Sequence, residues 1–316
     1  MFIINSVKHH IWKIADYLEF RAIINEDNHC SINSLRATLA APEDEIYIEG
    51  TEEGDDKVLN RLQESIISCS ARKTAYSIYP FNISHNSLDF SFSTPLDYIY
   101  VFLLFANRLD MQQEKVQGGK DATELFEKLC RVVAQNYLGN HAKCVVFGTS
   151  VPGSFEDKVK DILQKLHIHG DFKKPLGWTG HQKDGGIDIV AWIPFKDDRD
   201  SQLIALGQCK TGTNWETKLR KKEFFKDFST EQPFMEPIYL FFVCEDFGIN
   251  KWEDYSRECG ILFNRRRIIE LIPESFQEIE RALYDDIKLW VDSAMTYLKD
   301  YKEQNSDNSM GTSSFH

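Results

Sequence analysis

KDGGIDIVAWI (Lys183–Ile193), followed by LIALGQCK (Leu203–Lys210), decides how this chain reads. Both runs are β-branched or apolar over most of their length, as central strands covered on two faces are. Each also carries polar groups that packing does not call for. Asp188 stands just after the tight Gly185-Gly186 turn, and a charge in an otherwise apolar strand is costly to bury unless it is paired or metal-bound. Gln208 and Lys210 lie two apart near the end of the second run. Strand residues i and i+2 point to one face, so Gln208 and Lys210 share a face and Cys209 points the other way. If the two strands are neighbours, Asp188 meets that pair at one point.

Upstream, SFEDKVKDILQKL (Ser154–Leu166) opens with a serine cap and runs with helical period, which places Glu156 early in a helix. A stretch containing Gly and Pro, HGDFKKPLGWTG, joins it to the first strand. Downstream, a basic helix is expected over Glu216–Phe228 and a very apolar strand over Pro237–Val243. A short helix near Trp252–Glu258 and a strand over Ile261–Ile272 follow. The order α-β-β-α-β-α-β predicts an α/β fold, a mixed sheet core flanked by helices.

The first 140 residues read mainly as helices. Val7–Asn25, Lys57–Ala71 and Ala122–Tyr137 all carry apolar residues at helical spacing. Tyr76–Phe92 alternates loosely, as short strands do. Pro95 precedes an apolar stretch and marks the start of a buried helix. VQGGKD (Val116–Asp121) is a turn or linker, and its GGK is not a P-loop, because Asp121 stands where Ser or Thr is needed. Glu274–Lys302 is one long amphipathic helix, and Asn305–His316 is small, polar and expected to be disordered. The expected organisation is a mainly helical N-terminal domain over 1–140 for recognition or interaction, a catalytic domain over 141–275, a C-terminal helix over 276–304 and a tail over 305–316.

The chain carries 37 Lys+Arg against 49 Asp+Glu, a net charge of −12, which argues against a protein that simply coats nucleic acid. The sum is uneven. Residues 1–150 hold 14 basic and 20 acidic side chains, residues 151–270 hold 19 and 20, and residues 271–316 hold 4 and 9. The middle is therefore nearly neutral, and a basic cleft is compatible with the acidic total. Tyr98–Ala106, the longest apolar run, is about half of what a spanning helix needs, so no membrane association is expected. Seven scattered cysteines with no CxxC pair read as reduced thiols in a cytoplasmic protein.

A carboxylate (Asp188), an amide oxygen (Gln208) and the backbone carbonyl of Cys209 are hard oxygen ligands, suited to Mg²⁺ or Mn²⁺ and not to zinc. A lysine beside such a metal can orient or help deprotonate a water. Lys173, Lys174 and Lys183 precede the motif, and Lys218, Arg220, Lys221, Lys222 and Lys226 follow it. Arg265, Arg266 and Arg267 come later. At least one of these clusters is expected to contact phosphates, although charge runs usually mark a solvated face. Trp178 and Trp215 are open to base stacking or to loop packing. His167 and His169 read as structural. Cys209 reads as a small buried filler, not a nucleophile.

The set resembles the PD-(D/E)xK nuclease superfamily, and within it the Mrr-like restriction endonucleases. The match is carried by Phe155-Glu156, Gly185–Val190 and Gly207–Lys210, spread over residues 141–275. The resemblance implies a restriction-endonuclease-like core with Asp188 as main metal ligand, Gln208 as second-strand ligand, Lys210 as catalytic lysine and Glu156 as helix-borne carboxylate. Gln208 departs from the Asp or Glu usual at its position, and a neutral amide holds Mg²⁺ more weakly. The implied activity is Mg²⁺-dependent hydrolysis of DNA in a restriction or antiphage system, with a homodimer and a separate ATPase or helicase subunit as partners. Two alternatives stay open: a non-catalytic subunit that keeps the fold and binds nucleic acid or a partner, and an RNA-cleaving effector.

Overall fold

The structure is a computed structural model, and it describes residues 10–39, 52–148, 153–175, 185–197, 199–212, 214–248 and 251–310. In chain order its elements are α1 (Ile11–Ile24), β1 (His29–Ser31), α2 (Ile32–Leu39), α3 (Glu52–Ala75), β2 (Phe81–Ser84), β3 (Ser87–Phe90), α4 (Asp97–Arg108), β4 (Val116–Gln117) and β5 (Lys120–Asp121). Then come α5 (Ala122–Leu138), β6 (Lys143–Val146), α6 (Phe155–Lys165), β7 (Ile189–Ile193), β8 (Leu203–Lys210), α7 (Phe224–Phe228) and β9 (Ile238–Val243). The last are α8 (Trp252–Cys259), β10 (Ile261–Phe263), α9 (Arg265–Glu270), α10 (Phe276–Ile279) and α11 (Arg281–Met310). The architecture is mixed α/β. Among the described residues no helix is long and apolar enough to cross a membrane.

The chain divides into two compact units, one of residues 1–122 with 276–316 and one of residues 123–275. The division differs from the sequence expectation at both ends. Nearly all of α5 belongs with the sheet of the second unit, where Tyr137 meets Phe263 edge to face with ring centroids 5.1 Å apart. The C-terminal helix belongs to the first unit, where Trp290 packs on Phe102 and its indole N–H donates to the Lys115 carbonyl at 2.9 Å.

The first unit is more than helices. The loose alternation of Tyr76–Phe92 becomes the β2–β3 hairpin, and β1 adds to it antiparallel, in the order β1-β3-β2. VQGGKD forms the two-stranded β4–β5 hairpin, with left-handed Gly118 (φ 56°) and Gly119 (φ 73°) at its turn. A Cβ on Gly118 would stand 2.5 Å from Ser293 Oγ of α11, so glycine is also required there by close approach.

The second unit is built on a five-stranded sheet in the order β10-β9-β8-β7-β6. The pairs β6–β7 and β7–β8 are antiparallel, and the pairs β8–β9 and β9–β10 are parallel. A parallel step needs a crossover, and Thr211–Pro237, which contains α7, provides it. Ser154 caps α6, its Oγ accepting the Asp157 N–H at 3.1 Å. The apolar stripe of α6 (Phe155, Val159, Ile162, Leu163) packs with Val190, Trp192, Ile204, Leu206, Phe224 and Phe228 into one buried cluster. Side chains alternate along a strand, so Asp188 falls on the face of Val190 and Trp192, and Gln208 and Lys210 on the face of Ile204 and Leu206.

Several elements depart from the sequence reading. The helix expected over Glu216–Phe228 is a 3₁₀ turn at Trp215–Lys218 and the short α7, with a non-helical stretch between them. Trp215 draws the first piece inward: it is buried, and its indole N–H donates to Glu245 Oε2 at 2.6 Å. The strand expected over Ile261–Ile272 ends at Phe263. Asn264 then caps α9, its side chain accepting the Arg267 N–H at 3.2 Å. The helix over Glu274–Lys302 is divided into α10 and α11 around Glu280. The helical backbone continues through residues 305–310, where a disordered tail was expected, and residues 311–316 lie outside the described residues.

Candidate functional site

Asp188 sits one residue before β7, at the end of the strand and not within it. Three main-chain bonds fix it. Its N–H donates to the Gly207 carbonyl at 2.8 Å, and its own carbonyl accepts from the N–H groups of Phe147 (2.7 Å) and Gly148 (3.2 Å). The preceding turn requires glycine. Gly185 (φ 58°) and Gly186 (φ 77°) are both left-handed, and a Cβ on Gly185 would stand 2.7 Å from the Phe228 ring.

The structure brings Asp188, Cys209 and Lys210 into direct contact. Asp188 Oδ2 accepts the Cys209 N–H at 2.7 Å and lies 3.3 Å from Lys210 Nζ. Lys210 Nζ also donates to the Cys209 carbonyl at 3.0 Å. The ammonium therefore bridges two of the oxygens that the sequence assigned to a metal. Asp188 is 5% exposed, while the Lys210 side chain keeps 21% of its surface, so the carboxylate is buried and the lysine only partly so. Gln208 is buried on the same face, with Nε2 donating to the Arg220 carbonyl at 3.1 Å. That bond uses the amide nitrogen and leaves the amide oxygen out of it.

Cys209 faces the other way, as expected, toward α5. Its thiol is raised by burial, and a hydrogen bond with Cys130 only partly offsets this. A thiol held protonated in this way is not a nucleophile.

Glu156 does not join the cluster. Its carboxylate is half-exposed and pairs with Lys160, one turn along α6, at 2.8 Å. The physical reason is its position in the first helical turn, next to buried Phe155 but off the apolar stripe.

A carboxylate that the sequence reading missed is Glu127 of α5. It is 8% exposed, a Cβ on Gly148 would stand 2.8 Å from its Oε2, and its charge helps to raise the Cys209 thiol. The available signal was a charge set among buried helix positions, between Phe126 and Cys130.

The basic residues separate into different roles. Lys222 Nζ lies over the glycine turn, where a Cβ on Gly186 would be 2.8 Å away. Lys173 donates to the Lys226 carbonyl at 3.0 Å. Lys174, Lys218 and Lys221 are exposed. Lys183 and Trp178 lie outside the described residues. Arg265 is fully buried and donates to the Cys244 carbonyl, and Arg267 stacks on Trp252 with its guanidinium 4.3 Å from the ring centre. The arginine triplet is thus not a continuous phosphate-binding surface.

No family model, curated protein or solved structure matches this chain. The functional reading therefore rests on the geometry of Asp188, Gln208, Cys209 and Lys210 and on the motif resemblance.

Proposed function

We propose that the second unit is a restriction-endonuclease-like domain that hydrolyses DNA phosphodiesters with Mg²⁺ or Mn²⁺. The observation that carries this is the junction of Asp188 Oδ2, the Cys209 carbonyl and Lys210 Nζ at the shared end of two antiparallel strands. The donor set fits a hard divalent cation, since a positive group already lies between its oxygens. Asp188, the Cys209 carbonyl and the Gln208 amide oxygen would hold the ion. When bound, it supplies Lewis-acid polarisation of the phosphoryl group and a lowered pKa for water.

The remaining chemistry belongs to the chain. The Cys209 N–H orients the Asp188 carboxylate. Lys210, the exposed member of the pair, is placed to donate to a phosphate oxygen or to orient the attacking water. Lys222 beside Gly186, with exposed Lys174, Lys218 and Lys221, supplies phosphate contacts. Membership of a restriction or antiphage system, a homodimeric state and an ATPase or helicase partner are parts of this proposal that rest on the resemblance alone.

The deciding experiment incubates the pure protein with plasmid DNA and Mg²⁺ or Mn²⁺, beside Asp188→Ala and Lys210→Ala. Cutting by the wild type that both variants lose is expected, and equal cutting by all three overturns the assignment. An RNA substrate in parallel decides the sugar.

One observation favours the second reading, a non-catalytic subunit: the Lys210 ammonium already satisfies both oxygens, and Gln208 adds no charge. Calorimetry separates the readings. Mg²⁺ or Mn²⁺ binding that Asp188→Ala abolishes supports the enzyme, and no binding by the wild type supports the subunit.

A further inference from the structure

Beyond β8 the chain forms a short strap held at both ends. Trp215 anchors its start. The ring is buried against Phe247 and Tyr255, with centroids 5.2 and 4.9 Å away, and its N–H reaches Glu245. Phe224 and Phe225 anchor its end in the buried cluster that includes the α6 stripe. Between these anchors residues 219–223 form neither helix nor strand. Lys218, Arg220, Lys221 and Lys222 fall within this short stretch, and the first three are exposed.

Two side-chain contacts lay the strap over the junction. Lys222 Nζ would stand 2.8 Å from a Cβ on Gly186, and Gly186 lies just before Asp188. The Arg220 carbonyl accepts from Gln208 Nε2 at 3.1 Å, and Gln208 lies just before Lys210. The strap therefore meets both limbs of the junction, the turn that enters β7 and the end of β8. Gln208 is 3% exposed and stands on the central strand of the sheet, so its amide is a fixed point for the strap.

The residue type decides what this contact can do. An amide has a donor at one end and an acceptor at the other, whereas an ionised carboxylate only accepts. The end of Gln208 that faces the Arg220 carbonyl is the nitrogen, because two acceptors would repel each other. A Glu at this position would offer a cation a charged ligand, but it would leave the Arg220 carbonyl without this donor.

We propose that Gln208 is a positioning residue: its Nε2 holds the basic strap over the junction while its Oε1 is left for the ion. One side chain then sets the metal site and the phosphate-contacting cations in register. The proposal rests on the nuclease reading of the junction. It adds a reason for an amide where a carboxylate would hold metal better.

Gln208→Met and Gln208→Glu both remove the donor, and only the second adds a charge. Limited trypsin digestion of the full-length protein without DNA, read by mass spectrometry, tests the latch. Cleavage after Lys218, Arg220 and Lys221 should run about two- to tenfold faster in both variants, the factor for one lost hydrogen bond. Cleavage after fully buried Arg265 should stay as in the wild type. Unchanged cleavage of the strap overturns the proposal. So does equal acceleration after Arg265, which would mean that Gln208 only supports the fold. Duplex DNA binding in EDTA, where no ion contributes, should weaken at least about twofold in both variants, because fewer molecules hold the strap in place. Weakening confined to Gln208→Glu marks the added charge and overturns the positioning role. At saturating Mg²⁺, Gln208→Glu keeps an oxygen for the ion, so KM for DNA should rise by a larger factor than kcat falls. The reverse would assign Gln208 to the metal alone and overturn the proposal. A wild type that neither binds nor cuts DNA overturns the nuclease reading and the positioning role with it. A wild type that binds DNA while both variants match it overturns the positioning role alone.

Discussion

Each unit buries carboxylates beside basic side chains, and the two arrangements differ in what the charges are left to do. In the first unit Asp16 and Glu19 of α1 are fully buried. Arg72 NH1 lies 2.7 Å from Asp16 and 2.8 Å from Glu19, and Arg108 NH2 lies 2.6 Å from Asp16. The hydroxyls of Tyr79 and Tyr100 donate to Glu19 at 2.9 and 2.7 Å. All these partners come from inside the unit, and both arginines are buried with the acids. In the second unit Asp188 is also buried, but its cationic partner Lys210 is partly exposed and stands at a longer 3.3 Å. A charge network closed on all sides fixes how helices pack. A carboxylate whose cation opens to solvent can exchange that cation for a metal ion, which leaves the ammonium to meet an anion.

Arg72→Met tests the closed side of this contrast and should have the largest effect. Losing one partner of a buried ionic network leaves acids uncompensated and costs about 3–5 kcal/mol. Urea unfolding should show that loss as a lower midpoint. A loss below about 1 kcal/mol would mean that Asp16 and Glu19 are not held by Arg72 as the geometry implies. Asp188→Ala and Lys210→Ala test the open side. Each should lower metal-dependent cutting at least about 100-fold, the scale of losing a group that acts on the developing charge. Circular dichroism should show both variants folded. Collapse of the fold in Lys210→Ala would move that residue from the open class to the closed one.

A smaller effect is expected between these two kinds of site. Ser154→Ala removes the α6 cap, in which Ser154 Oγ accepts from Asp157 N–H and donates to Asp157 Oδ2 at 2.6 Å. Loss of such a cap costs about 1 kcal/mol. Thermal unfolding should register it, while cutting at low temperature stays unchanged. If cutting falls as far as in Asp188→Ala, α6 positions the junction more directly than its apolar stripe alone requires.

What was legible in the sequence follows from how local each feature is. The Gly-Gly turn, the strand after it and the i, i+2 pairing of Gln208 with Lys210 depend on neighbours in the chain, and they stand in the structure nearly as read. The Ser154 cap is local in the same way. The failures are tertiary. Trp215 is pulled into the core by Glu245 and ends the helix that the charge pattern of residues 216–228 suggested. Asn264 caps a helix where continued apolar character read as strand. Arg265 sits in a run of three arginines, which in sequence looks like a solvated face, yet the Cys244 carbonyl holds it inside.

The smallest expected effect bears on which helix serves the junction. The resemblance gave that role to Glu156, but its carboxylate is half-exposed and already paired with Lys160. Glu156→Gln removes only a surface ion pair of the i,i+4 kind, worth a few tenths of a kcal/mol, and cutting should stay within about twofold of wild type. Glu127 is the contrasting case: it is buried, lies against Gly148, and is close enough to raise the Cys209 thiol. Gly148 in turn donates to the Asp188 carbonyl, so a change at Glu127 reaches the loop that holds Asp188. Glu127→Gln keeps the shape and removes the charge, and should lower cutting more than Glu156→Gln does. Plasmid cleavage by the two variants at equal metal concentration ranks them. A larger loss in Glu156→Gln would mean that α6 re-orients its first turn when DNA or metal is bound. The open site would then be completed by a side chain that the free protein keeps on its surface.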